Sequence, residues 1–280
     1  MKHRVTLHTG NHVVALEPAL GGRAVSWQVD GVELLSAKSE HPVEYGMYPM
    51  GPWAGRLDAN SVVLKDTNYE LPPTYEQWAL HGTTLFNQWH VVAQSETSCT
   101  LSCELGEPWP WDGFIEVTWN LHEDELHTKV QVRSHADEFP VVTGLHPWFA
   151  KTNHFGTAIW HLPECRLAER DGMFELSGRL IDKPQGSGIF DDAFYVPSQN
   201  AVIRWGEAFA IEIYQSHEWF VVYDKEPNFV CVEPQTGPPN GVNDALIGSV
   251  IVVTPERPLV QEISWRINRD LPGERVQHAG

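Results

Sequence analysis

No stretch of this 280-residue chain is apolar for long enough to span a bilayer. The opening MKHRVTLHTG alternates polar and apolar residues and lacks the continuous apolar core of a signal peptide. Positive charge is scarce: 19 Lys and Arg stand against 37 Asp and Glu, a formal net charge of −18. That balance excludes extended contact with a nucleic-acid backbone or an anionic membrane surface. It is read here as a device for solubility. Cysteine is scarce too. Cys99, Cys103, Cys165 and Cys231 form no CxxC pair and no zinc-ribbon spacing, so they are expected to be separate thiols in a reducing compartment. The expectation is a cytoplasmic protein. GxSxG, GxGxxG, P-loop, HxH and HExxH patterns are all missing, which leaves no foothold for a nucleophilic hydrolase, a nucleotide enzyme or a zincin.

Helical periodicity is missing as well, and period-two alternation takes its place. RVTLHTG, HVVALEP, SVVLKDTNYEL, WHVVAQSETSCTLSCEL, FIEVTWNLHEDELHTKVQVRS, AFAIEIYQS and VIVVTPERPLVQEISWRI all read as strands between turn residues. SWQVDGVELL predicts a hairpin with Asp30-Gly31 at its tip, the pair that a type I′ turn favours. NLHEDELHTKV predicts another, turning at Glu123-Asp124. Cys99 and Cys103 fall on one face of a strand. HLPECRLAERDG is the one candidate for a short helix. The 20 prolines and 22 glycines are dispersed and do not gather into a linker, so residues 1–280 are expected to form a single domain. The fold class is all-β, a large antiparallel β-sandwich.

Titratable groups recur where these strands stop. TGLHPWF presents His146, LHGTTLFNQW presents His81, and GPWAGRLDAN presents Arg56. IFDDAFYV offers Asp191 and Asp192, and VCVEPQTGPPNGVND offers Glu233. Each has a structural explanation: a satisfied histidine, a surface cation, a pair of turn residues. Glu233 resists it most, because FVCV reads as buried and a carboxylate there needs a partner or a raised pKa. Pro234 is expected to stop that strand and leave the carboxylate at its mouth.

Taken in order, PWAGRL, LHG, GLHPWF, DDAF and EPQTGPPNGVN resemble the aldose 1-epimerase (galactose mutarotase) family. The resemblance runs from about Pro52 to the ISWRI strand. It implies a large antiparallel β-sandwich, as the strand pattern does independently. It further implies that Glu233 is the general base, that His146 is the general acid facing the ring oxygen, and that His81 contacts substrate. Arg56 and Asp191 match residues that bind sugar hydroxyls, Asp191 being preferred to Asp192 because it stands three residues before Phe194. Opening and reclosing a hemiacetal needs one proton removed from the C1 hydroxyl and one delivered to the ring oxygen, so neither metal nor nucleotide is called for. The implied partner is a small-molecule sugar. Trp148 and Trp53, beside motif residues, are candidate platforms for a pyranose face.

The chain also departs from the galactose-type pattern. Gly55 stands where an asparagine commonly precedes the arginine, Pro147 and Trp148 replace small polar and tyrosine residues, and WFVVYD lacks a glutamine. These departures leave the acid/base pair alone and bear on hydroxyl recognition. Three other readings compete. A hexose-6-phosphate epimerase would need a cation cluster at the phosphate. A metal enzyme would use His81, His146 and Glu233 as ligands. A non-catalytic sugar-binding module would have no use for an acid and a base in those positions.

Overall fold

A computed structural model describes residues 4–36, 39–171, 175–182 and 189–269. Among the described residues there is no α-helix, only three single-turn 3₁₀ segments. Two large sheets dominate, one of twelve strands and one of nine, with two small two-stranded pairs beside them. Every pairing between their strands is antiparallel. The alternating runs explain this. Gly113–Leu121 buries every second residue, as does Glu125–Ser134, so each strand turns one apolar face to the interior. Between the sheets, Trp27 of Arg23–Val29 meets Trp265 of Leu259–Arg269 edge-on at 6.0 Å, with Phe149 packed against both. All three are fully buried, and each such side chain is worth roughly 1.5–3 kcal/mol of burial. No described helix is long and apolar enough to cross a membrane.

Most local expectations hold. Asp30 and Gly31 both have positive φ (52° and 77°), as a type I′ turn requires. Cys99 and Cys103 are buried on one face of Ser98–Glu104. Several expectations need correction: WHVVAQSETSCTLSCEL and VIVVTPERPLVQEISWRI each hold two strands, His90–Gln94 with Ser98–Glu104 and Val252–Val253 with Leu259–Arg269. SVVLKDTNYEL is a hairpin and not one strand, because Lys65 and Asp66 take positive φ and reverse the chain between Ser61–Leu64 and Thr67–Glu70. The short helix expected in HLPECRLAERDG is instead extended over Arg166–Arg170, where pairing to two neighbouring strands overrides the weak local preference. Pro234 does not stop its strand. Val221↔Glu233 and Trp219↔Gln235 pair on either side of it, so its missing N–H costs one donor without turning the chain.

Six adjacent strands of the larger sheet form the floor of a cleft. They are β1 (Met47–Met50), β2 (Gly144–Pro147), β3 (Arg166–Arg170), β4 (Asp191–Tyr195), β5 (Trp219–Tyr223) and β6 (Phe229–Gln235). Their order across the sheet is β1-β2-β6-β5-β4-β3.

Candidate active site

Register brings the site together. Gly144 pairs with Gln235, and further along the same two segments Phe149 pairs with Val230. Holding that register places His146 of β2 directly opposite Glu233 of β6. On the other flank His146 pairs with Tyr48 of β1, and Glu233 pairs with Val221 of β5. Period-two alternation then puts Trp148, Cys231, Tyr223 and Asp191 on the same face one step along, while Asp192 takes the opposite parity. This is why Asp191 and not its neighbour reaches the cleft.

The cleft has a volume of about 300 Å³, the lower end of the range for small-molecule sites. Arg56, His81, His146, Trp148, Asp191 and Glu233 all line it. Trp53 does not. Its indole is fully buried, stacks on Trp109 at 5.6 Å and donates to the Ala79 carbonyl, so it belongs to the core.

At the floor, His146 Nε2 and Glu233 Oε1 are 3.3 Å apart, and both side chains are almost wholly buried. Burial, the largest influence on each, favours the uncharged forms. It pushes Glu233 well above the usual carboxylate range and His146 well below the usual imidazole range. The positive charge of Arg23 lowers His146 further, and so does that of His81 once His81 itself is protonated. With the carboxyl's proton affinity raised and the imidazole's lowered, the two groups can share one proton between them. When the carboxyl carries it, both groups are neutral. When the imidazole carries it, a carboxylate base and an imidazolium acid stand side by side. Gln235 and Arg56 favour that second form by stabilising the anion, against the opposing charge of Asp191. The imidazole itself cannot swing away. It lies between Tyr48, stacked at 4.9 Å, and Trp148, stacked at 5.1 Å with ring planes 7° apart. One face of Trp148 is thus already taken by His146. Its edges meet Tyr223 and Phe229, which continue the aromatic wall.

His81 and Arg56 come from loops that zip to each other. The His81 N–H donates to the Gly55 carbonyl at 3.1 Å, and the Gly55 N–H donates to His81 Nδ1 at 3.2 Å. Because Nδ1 accepts, the ring proton sits on Nε2, where it serves as a donor. Burial, with the Arg56 charge added, lowers the His81 pKa to about 3. Two glycines make this turn possible. Gly55 has φ of 73° and a Cβ there would come within 2.9 Å of Pro239, so the position has no room for the asparagine of the galactose-type pattern. Gly82 has φ of 78° and its Cβ would strike the Gly51 carbonyl at 2.0 Å. Across the cleft, Asp191 faces Arg56 at 3.9 Å and Lys225 at 3.2 Å.

Residues that sequence reading missed also line the cleft. Arg170, Gln235, Tyr223 and Glu226 are among them. Arg170 donates to the Asp191 carbonyl and faces Asp192 at 3.4 Å. Its signal was hidden by the helical reading of its segment, and that of Gln235 by the expected stop at Pro234. Donor atoms of His146, Cys231 and Glu233 lie within 4.8 Å of one another, all three buried. Among the described residues this is the cluster whose spacing could take a metal ion, and His81 is not part of it. A soft thiolate would favour a zinc-like ion there, and binding one would engage both members of the acid/base pair.

A model of the aldose 1-epimerase family matches residues 3–252. The chain belongs to this family. Among curated proteins, the aldose 1-epimerase family member described here is 23% identical over 255 residues to "Uncharacterized protein YphB" of Escherichia coli K12, covering 82% of this chain and 86% of that one. The fold is that of a GalM/aldose epimerase homologue from C. elegans (TM-score 0.81, 14% identity, 96% of this chain and 99% of that chain). It is also that of a galactose 1-epimerase from Lactobacillus acidophilus (TM-score 0.72, 15% identity, 95% and 94%).

Proposed function

We propose that this aldose 1-epimerase family member interconverts the α and β anomers of a free, uncharged aldose. The observation that carries the reading is the 3.3 Å contact between His146 Nε2 and Glu233 Oε1 at the cleft floor. Anomer exchange moves protons at two oxygens, the C1 hydroxyl and the ring oxygen, and both are bonded to the same carbon. A base and an acid that touch each other can reach both. In the working form Glu233 takes the C1 hydroxyl proton and His146 gives one to the ring oxygen, so the C1–O5 bond breaks to the open-chain aldehyde. Rotation about C1–C2 and the reverse transfers close the ring on the other face. Each positioned proton transfer contributes roughly 10²–10⁴-fold. The pair starts and ends with one proton, so no external acid, base or cofactor enters the balance.

His81, through its Nε2 proton, Arg56 and Asp191 hold hydroxyls distal to C1, which leaves C1–C2 free to turn. Charge speaks for a neutral sugar. Of the cleft's cations, Arg170 meets both Asp191 and Asp192, Arg56 faces Asp191, and Glu44 and Glu226 add negative charge. A phosphate would meet more anions than cations. The test is NMR exchange or polarimetry on freshly dissolved aldoses with hexose 6-phosphates alongside. Accelerated exchange of at least one neutral aldose is expected. Faster exchange of a phosphorylated sugar would point to the phosphate-specific reading instead.

A further inference from the structure

We propose that Gln235 is the positioning residue of the acid/base pair: its amide pins one oxygen of Glu233, so that the other is the oxygen that exchanges protons. The proposal rests on the anomer-exchange reading above and assigns a division of labour within one carboxylate. Gln235 Nε2 donates to Glu233 Oε2 at 2.9 Å, while Oε1 of the same group faces His146 Nε2 at 3.3 Å. The carboxylate is therefore held at both ends, with a neutral donor on one oxygen and the proton partner on the other. Without the amide, rotation about the Glu233 side chain would exchange the two oxygens and move the base relative to C1.

Three features place Gln235 in this role. Alternation sets it on the same face of β6 as Glu233, two residues on, because the strand runs through Pro234. Its side chain packs opposite Gly144, where even a Cβ would come within 2.9 Å of Gln235 Cγ, so the glycine leaves the stem its room beside the carboxylate. Its own Oε1 is buried with no hydrogen-bond partner while the residue lines the cleft. An acceptor left open at the wall of the cleft suits a hydroxyl of the bound sugar.

The donated hydrogen bond has a chemical consequence. It stabilises the carboxylate over the carboxylic acid, opposing the effect of burial, and so raises the fraction of the pair in which the imidazole carries the proton. Gln235 thereby keeps the base available in a site that would otherwise neutralise it.

The test is Gln235→Met, which keeps the length and removes donor and acceptor, with Gln235→Asn as a second variant that keeps the amide but falls short of Glu233. Infrared titration of the buried carboxyl, assigned by its loss in Glu233→Gln, reads the proton affinity without requiring turnover. In both variants the protonated carboxyl is expected to persist about one to two pH units higher than in the wild type. The alkaline limb of the kcat profile should move up with it, and the kcat plateau should fall roughly 10- to 100-fold, with KM changed much less. An infrared titration that stays at its wild-type position in a folded variant overturns the proposal. A shifted titration in a protein that exchanges no aldose supports Gln235 as the partner of Glu233 and removes the anomer-exchange reading.

Discussion

His146 and Glu233 oppose each other across two neighbouring antiparallel strands, and both side chains are almost wholly buried. The relationship is unlike that of His12, an equally buried histidine. His12 Nε2 accepts from the Trp27 indole at 2.7 Å and Nδ1 meets the His122 carbonyl at 2.7 Å, so both ring nitrogens are spent on the core. His146 instead turns Nε2 toward a carboxyl at the floor of a cleft.

Replacing either member should stop the chemistry and spare the fold. Glu233→Gln and His146→Asn are each expected to lower kcat by about 10²-fold or more. Neither opens a large cavity, and the removed groups were ionisable and buried, so thermal midpoints should hold or rise. The double variant should be little worse than the single ones, since an acid without its base cannot complete the opening step. Folded variants with near wild-type turnover would show that these residues do not carry the protons.

Activity should be bell-shaped in pH, with limbs that belong to the pair and not to either residue. Toward acid, a second proton must join an imidazole held well below 6.5, so no inflection is expected at the ordinary histidine value. Toward alkali, the shared proton leaves a carboxyl held well above 4.5, and the acid is lost. A kcat/KM profile with a single limb centred near 6.5 would contradict this arrangement.

Stability should fall in mild acid because of His81. Its folded pKa of about 3 lies below the ordinary value of 6.5, so folding benefits fully above 6.5 and loses that benefit as pH drops toward 3. Between pH 7 and 4.5 this amounts to about 2–3 kcal/mol as an upper bound. His81→Asn, whose side chain tolerates the positive φ of 57° at this position, should lose less stability over that interval. Urea midpoints at the two pH values measure it, and equal losses in both proteins would exclude His81 as the source.

Chelation should leave the rate of anomer exchange unchanged, since both proton transfers are assigned to side chains. Dialysis against a strong chelator, followed by polarimetry, tests this. A loss restored by zinc would identify His146, Cys231 and Glu233 as a metal centre.

Local information in the chain was enough for the strands and for several turns. Alternation depends only on neighbouring residues, and Asp30-Gly31 or Cys99 and Cys103 could be placed from a few positions each. Where local signals were weak or double-edged, neighbours decided. Arg166–Arg170 is a strand because it pairs on two sides, and Trp53 is core because Trp109 and the Ala79 carbonyl claim it.

The sequence by itself determined which chemical groups this protein owns and that they sit on strands and adjoining turns. His146, Glu233, His81, Arg56 and Asp191 could all be named from short motifs in order. Their meeting in one cleft was decided by the tertiary structure, through the pairing of β2 with β6 and the zipping of the Gly55 and His81 loops. So were the 3.3 Å contact, the opposed proton affinities of its two members and the hold of Gln235 on one carboxylate oxygen. Proton affinity depends on burial and on charges brought near by distant parts of the chain, and a strand's register with a remote partner leaves no mark in either segment alone.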